Sequence, residues 1–118
     1  MDYSSISLQE IDTNNIGSDI KAINNYGIEI LLSKLKSHWI NKDNEEIYCD
    51  FSFKNFNEGI NFINSVAEQS EIHNHHPEII VKYKNVRIVL TTHDVKGLSI
   101  KDFILASRIE NIFIEKFT

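Results

Sequence analysis

The apolar positions change period several times along the chain, and each change marks an element. In "YGIEILLSKLKSHW", Ile28, Leu31, Leu32 and Leu35 recur at i, i+3, i+4 and i+7, one face of an amphipathic helix. In "EIYCDFSFK", Ile47, Cys49, Phe51 and Phe53 alternate with Tyr48, Asp50 and Ser52, which predicts a half-buried strand. The preceding "WIN" and the turn-like "NKDNE" predict its hairpin partner. The period then lengthens again. Phe56, Ile60, Ile63 and Ala67 lie at i, i+4, i+7 and i+11, predicting a second helix of about four turns. Asn55 can cap its start, with Glu58 three residues on completing a capping-box-like pair.

After Pro77, "EIIVKYKNVRIVLTTHD" predicts two strands joined near Lys84–Asn85. Val86, Ile88 and Leu90 face one way; Arg87, Val89, Thr91 and His93 face the other. "LSIKDFILASRIENIFIEKF" predicts a third helix, with Ser99 at the N-cap and Asp102 three residues later. Phe103, Ile104, Ile109, Ile112 and Phe113 supply its apolar surface. The order α-β-β-α-β-β-α, with hairpins separated by a helix, predicts an α+β domain: an antiparallel sheet with helices on one face. Residues 1–25 show poor periodicity and read as a partly irregular N-terminal extension to a domain spanning 26–118.

Composition narrows the function. A length of 118 residues fits one domain with its own core, and 42% apolar with 25% charged residues is ordinary for a globular protein. A formal net charge of −5 with no basic run argues against nucleic acid and anionic membranes as partners. No apolar run approaches the ~20 residues that span a bilayer. "MDYSSISLQEID" does not read as a secretory signal. Cys49 is the only cysteine, which excludes an intramolecular disulfide and fits a reducing compartment. A cytoplasmic location is the expectation.

The candidate chemistry is histidine. "EIHNHHPE", residues 71–78, holds three of the five histidines in four positions, and imidazole both titrates near neutral pH and ligates metals. The metal reading is the weaker one. Imidazoles at i, i+2 and i+3 match neither HExxH nor a CxxC pair, and Cys49 lies on the inward face of a predicted strand. The acid/base reading uses local geometry. Pro77 pushes His76 into extended backbone, so the second helix stops at or before His76, and Asn74 tolerates a left-handed turn there. His75 and His76 then sit at the edge of the sheet, and His93 adds a third imidazole at the end of the last strand. A solvated loop explains one such histidine well and explains "HHP" plus "TTH" less well. His73 and His38 read as surface residues. Asp102 can be a helix cap and nothing more, and Glu71 a solvated helix residue.

"EIHNHHPE" followed by "VKYKNVRIVLTTHDVKGLSIKD" resembles the signature of the pterin-4a-carbinolamine dehydratase family. The matching positions are Glu71, His75, His76, Pro77, Tyr83, Thr92, His93, Gly97, Leu98, Ser99 and Asp102, and the similarity reaches back to Trp39. Many members carry Trp after His-His-Pro-(Asp/Glu); here Ile79 follows Glu78. The resemblance implies a four-stranded antiparallel sheet carrying three helices on one side, assembled as a homodimer or homotetramer. It also implies elimination of water from a 4a-hydroxytetrahydropterin, in tetrahydrobiopterin recycling, with no metal or other cofactor. His75 and His93 would then transfer protons and His76 mainly bind, with Glu71, Pro77, Glu78, Thr92 and Asp102 binding or orienting. The competing expectation is a dimerisation or coactivator scaffold of the same fold, without catalysis.

Overall fold

In the computed structural model, which describes residues 2–11 and 20–118, the predicted alternation becomes a sheet. Strand β1 (Ile40–Lys42) pairs antiparallel with β2 (Glu46–Ser52), β2 with β4 (Asn85–Leu90), and β4 with β3 (Glu78–Lys82), in the order β1-β2-β4-β3. Both residues at the tip of the first hairpin, Asp43 and Asn44, have positive φ, which these two side chains tolerate. The register sets Ile47 opposite Leu90, Cys49 opposite Ile88 and Phe51 opposite Val86, and all six are buried. Against that face pack α1 (Asn25–Ser33), α2 (Phe56–His73) and α3 (Ile100–Lys116), the expected element order. Phe51, Phe53, Phe62, Phe113 and Phe117 interlock there with ring centroids 4.9–6.1 Å apart.

Some helix expectations shift. α1 ends at Ser33, so Leu35 lies beyond it, though Leu32 and Leu35 still pack on the core. α2 runs for 18 residues, and its buried stripe is Gly59, Phe62, Val66, Ser70 and His73. Phe56 is exposed, and Ile60 and Ile63 are only half-buried, so the face is rotated from the expected Phe56–Ala67 line. His73 is buried rather than on the surface: it lies one turn beyond Ser70 on the core stripe. His38 is exposed as expected.

The predicted extension, residues 1–25, falls partly outside the described residues. Its described part is irregular apart from one 3-10 turn, Tyr3–Ser5, yet Leu8 and Ile23 belong to the core. Lys34 Nζ donates to the carbonyls of Ser4 (2.9 Å) and Ile6 (2.8 Å), and Arg108 donates to those of Leu8 and Ile11. Tyr3 lies so close over α1 that a Cβ on Gly27 would meet its ring at 2.7 Å.

On the far face of the sheet, Arg87 donates two hydrogen bonds to Asp50 and stacks 4.3 Å from the Tyr48 ring centroid. The guanidinium holds the Asp50 carboxyl below the usual carboxylate range. Inside, burial pushes the Cys49 thiol up to about 12, with the Glu110 and Asp50 carboxylates adding to it. A thiol that stays protonated and covered is a poor nucleophile. Iodoacetamide at pH 8 is therefore expected to leave Cys49 unlabelled in the native protein and to label it in denaturant, read by intact mass. Labelling of the native protein at the rate of a free thiol would contradict this burial.

Candidate active site

The histidine segment is shaped by the end of α2. Asn74 adopts the left-handed conformation (φ 47°, ψ 46°), as expected from its residue type. The Asn74 amide donates to the Glu71 carbonyl and the His75 amide to the Ser70 carbonyl, closing a Schellman turn. The chain then reverses into β3, with Pro77 half-buried and Glu78 exposed as the first strand residue. The reversal sends the two imidazoles to different partners. His76 folds back over the last turn of α2 to Glu71, at 2.7 Å, with both side chains largely in solvent. His75 turns inward.

His75 Nε2 lies 2.6 Å from Oδ1 of Asp102, which is fully buried at the first turn of α3. The other carboxylate oxygen, Oδ2, accepts from the Ser99 backbone amide (3.0 Å) and from the Thr92 hydroxyl (2.7 Å). A hydroxyl has one proton, and that of Thr92 goes to Asp102. The Ser99 hydroxyl, 2.7 Å from Thr92 Oγ1, must then donate to it. Asp102 is thus a cap through one oxygen and a histidine clamp through the other. As an acceptor-only carboxylate it fixes the proton of His75 on Nε2, which leaves Nδ1 as the ring nitrogen Asp102 does not engage.

The Thr92 side chain that turns in to reach Asp102 also ends the strand. β4 stops at Leu90, and His93 opens a 3-10 turn, His93–Val95, rather than finishing a strand. Thr92 and Gly97 bridge the base of that loop, Lys96 takes the left-handed conformation, and Thr91 Oγ1 donates to the Glu45 carbonyl (2.6 Å) and lies 3.2 Å from that of Gly97. His93 is exposed on a pinned loop, and Thr92 beside it is tied through Asp102 to His75. Ile79 packs partly buried against the core. Among the described residues, no three His, Cys, Asp or Glu side chains are grouped so as to hold a metal ion.

Two parts of this arrangement were missed from the sequence. Ser99 reads only as a helix cap, although its hydroxyl extends the chain of hydrogen bonds through Thr92. The charged residues of the β1–β2 turn that approach the His93 loop gave no signal, because that contact joins Glu45 to Thr91.

A four-stranded antiparallel sheet backed by three helices, with a carboxylate-clamped imidazole at a helix end, defines an α+β protein suited to proton transfer. The chain belongs to the family described as "Pterin 4 alpha carbinolamine dehydratase", which matches residues 21–112. A Legionella pneumophila (strain Corby) protein, provisionally named pterin-4-alpha-carbinolamine dehydratase, is 39% identical over 95 residues, covering 80% of this chain and 84% of its own. A Chloroflexus aggregans protein with the same provisional name is 46% identical over 74 residues, 63% of this chain and 79% of that one. A crystal structure of a Brucella melitensis "transcriptional coactivator/pterin dehydratase" matches with a TM-score of 0.74 at 28% identity, covering 78% of this chain and 98% of that one.

Proposed function

We propose that the protein is a hydro-lyase that removes water from a 4a-hydroxytetrahydropterin to give the quinonoid dihydropterin, serving tetrahydrobiopterin recycling. Family membership supports the substrate class, and the observation that carries the chemistry is the His75–Asp102 pair. In the reaction the C4a–O bond breaks as a general acid protonates the leaving oxygen. A base takes the proton from N5, and the freed electron pair forms the C4a=N5 double bond. Water is the only other product. The elimination involves no net redox change, so two positioned imidazoles suffice, each contributing typically ~10²–10⁴-fold. His75 and His93 carry the two transfers, and Asp102 orients His75. His76, with Glu71, binds the ring at the solvent edge, beside Pro77 and Glu78, while Thr92 holds Asp102 in place.

The deciding experiment is a dehydratase assay on a synthetic 4a-hydroxytetrahydropterin. His75→Ala and His93→Ala are each expected to lower kcat at least about tenfold with the protein still folded, His75→Ala at some cost in stability because the buried Asp102 loses a partner. His76→Ala is expected to raise KM with a smaller change in kcat, as when binding is lost equally in ground and transition states. Wild-type turnover in the first two variants would sink the assignment, and a collapse of kcat in the third would exchange the roles of His75 and His76.

A second reading has one observation behind it: the similar Brucella melitensis protein is described as a transcriptional coactivator as well as a pterin dehydratase. A scaffold of this kind would act as a homodimer or homotetramer and would keep its function in the histidine variants, whereas the enzyme would not. Light scattering after gel filtration reads the assembly directly.

A further inference from the structure

The Leu98–Ser99 peptide, at the entry to α3, is held on both sides. Its N–H is the Ser99 amide that donates to Oδ2 of Asp102 (3.0 Å), and its carbonyl oxygen, that of Leu98, accepts from the Ile23 amide (2.8 Å). One planar trans peptide carries both groups, and they point in opposite directions. A rotation of that plane that frees the carbonyl from Ile23 also swings the N–H off Asp102. Accepting a hydrogen bond at the oxygen polarises the same unit and makes its N–H a stronger donor. The bonds therefore run in one line, from the Ile23 amide through the Leu98–Ser99 peptide and the Asp102 carboxylate to the His75 ring. Ile23, Leu98, Ser99 and Asp102 are all buried, so water is a poor substitute for any of these links.

The position of Ile23 is set in turn by the start of α1. Asn24 caps that helix by accepting from the Gly27 amide (2.9 Å), and Ile23, just before the cap, lies over Gly27. A Cβ at Gly27 would meet the Ile23 Cγ2 methyl at 2.6 Å and the Tyr3 ring at 2.7 Å, so the missing side chain is what lets both approach. Tyr3 belongs to the segment ahead of the family match, which begins at residue 21. Resting on the dehydratase reading, we propose that Ile23 is a positioning residue for the reaction. Its amide, through the Leu98–Ser99 peptide, aims and strengthens the donor that holds Asp102 against His75, and Gly27 keeps that amide in place.

The test separates the amide from the side chain. Ile23→Pro and Ile23→Ala both remove the buried side chain, but only proline also removes the N–H. The readouts are kcat and KM on a 4a-hydroxytetrahydropterin, and the ¹H and ¹⁵N resonances of His75 Nε2–H in the resting protein. Ile23→Pro is expected to lower kcat about fivefold below Ile23→Ala, as for one net hydrogen bond, with KM unchanged. It should also move the Nε2–H resonance, which Ile23→Ala leaves at its wild-type position. Gly27→Ala keeps every amide and gives an independent arm. By pushing Ile23 aside it should lower kcat several-fold and shift the same resonance. Adding Ile23→Ala removes the clashing methyl and should restore both, while the melting temperature falls further because a buried side chain is lost. Equal rates and resonances in the Pro and Ala variants overturn the inference, as does a Gly27→Ala protein with wild-type kcat and resonance. Should the proline variant not fold, the Gly27 pair decides alone. A wild-type protein without turnover overturns the dehydratase reading, and the resonance then decides the Ile23 coupling by itself.

Discussion

Asp102→Asn is expected to lower kcat by about 10²-fold or more while costing no more than about 1 kcal/mol of stability. The asymmetry follows from the two oxygens. An asparagine can turn its carbonyl towards Thr92 and the Ser99 amide, keeping the helix cap that Oδ2 provides. Its NH₂ then points at His75 Nε2, which must become an acceptor, so the ring proton moves to Nδ1. The fold survives, but the imidazole presents the wrong nitrogen and loses the carboxylate that supports its charged form. Ring ¹⁵N shifts of His75 would report the tautomer, and a urea titration the stability. An active Asp102→Asn protein with an unchanged His75 ring would show that Asp102 is a cap and nothing more. Asp102→Ala should lose both stability and rate, because the cap and the clamp vanish together.

The largest stability effect is expected far from the histidines, at Glu110. This buried carboxylate accepts from the backbone amides of Lys36 (2.7 Å) and Ser37 (2.9 Å) and from Trp39 Nε1 (3.0 Å). Through these bonds α3 holds the segment between α1 and β1. Glu110→Ala would leave the buried Trp39 Nε1 and the part-buried Lys36 and Ser37 amides without this partner, at about 1–3 kcal/mol for each donor that stays unsatisfied. A loss of at least about 3 kcal/mol is expected, a large share of the roughly 5–15 kcal/mol that holds a typical domain together. Glu110→Gln should lose less, since its carbonyl can keep Ser37 and Trp39 while its NH₂ faces the Lys36 amide. Urea midpoints at unchanged slope would rank the three proteins. A loss below about 1 kcal/mol for Glu110→Ala would mean that water satisfies those donors in its place.

What the sequence conveyed about this fold was strongest where one residue's neighbours along the chain decide its environment. The alternation of Ile47, Cys49 and Phe51 became three inward side chains, and Asn74 before His-His-Pro became a left-handed helix end. α2 was harder, because apolar residues occur on both sides of its true stripe. Gly59, Ser70 and His73 lie on that stripe without being hydrophobic, so a count of apolar positions drifts away from it. For Asp102, the helix-cap expectation is met by one oxygen, while the other lies against His75. Glu110 was illegible for a different reason: an acidic residue in a helix reads as solvated unless its distant donors are known.

The same contrast orders events as the chain folds. Every hydrogen bond that His75, His76 and Asp102 make with one another, Glu71, Thr92 and Ser99 joins residues between Glu71 and Asp102, the longest separation being 27 positions. The Glu110 contacts span 71 to 74 positions. Closing the longer loop costs more chain entropy and must wait for more of the protein to be in place. The end of α2, the β3–β4 hairpin and the first turn of α3 can thus set His75 against Asp102 as one local unit. The clasp over Trp39 then joins the segment before β1 to α3 late, as the step that commits the whole domain.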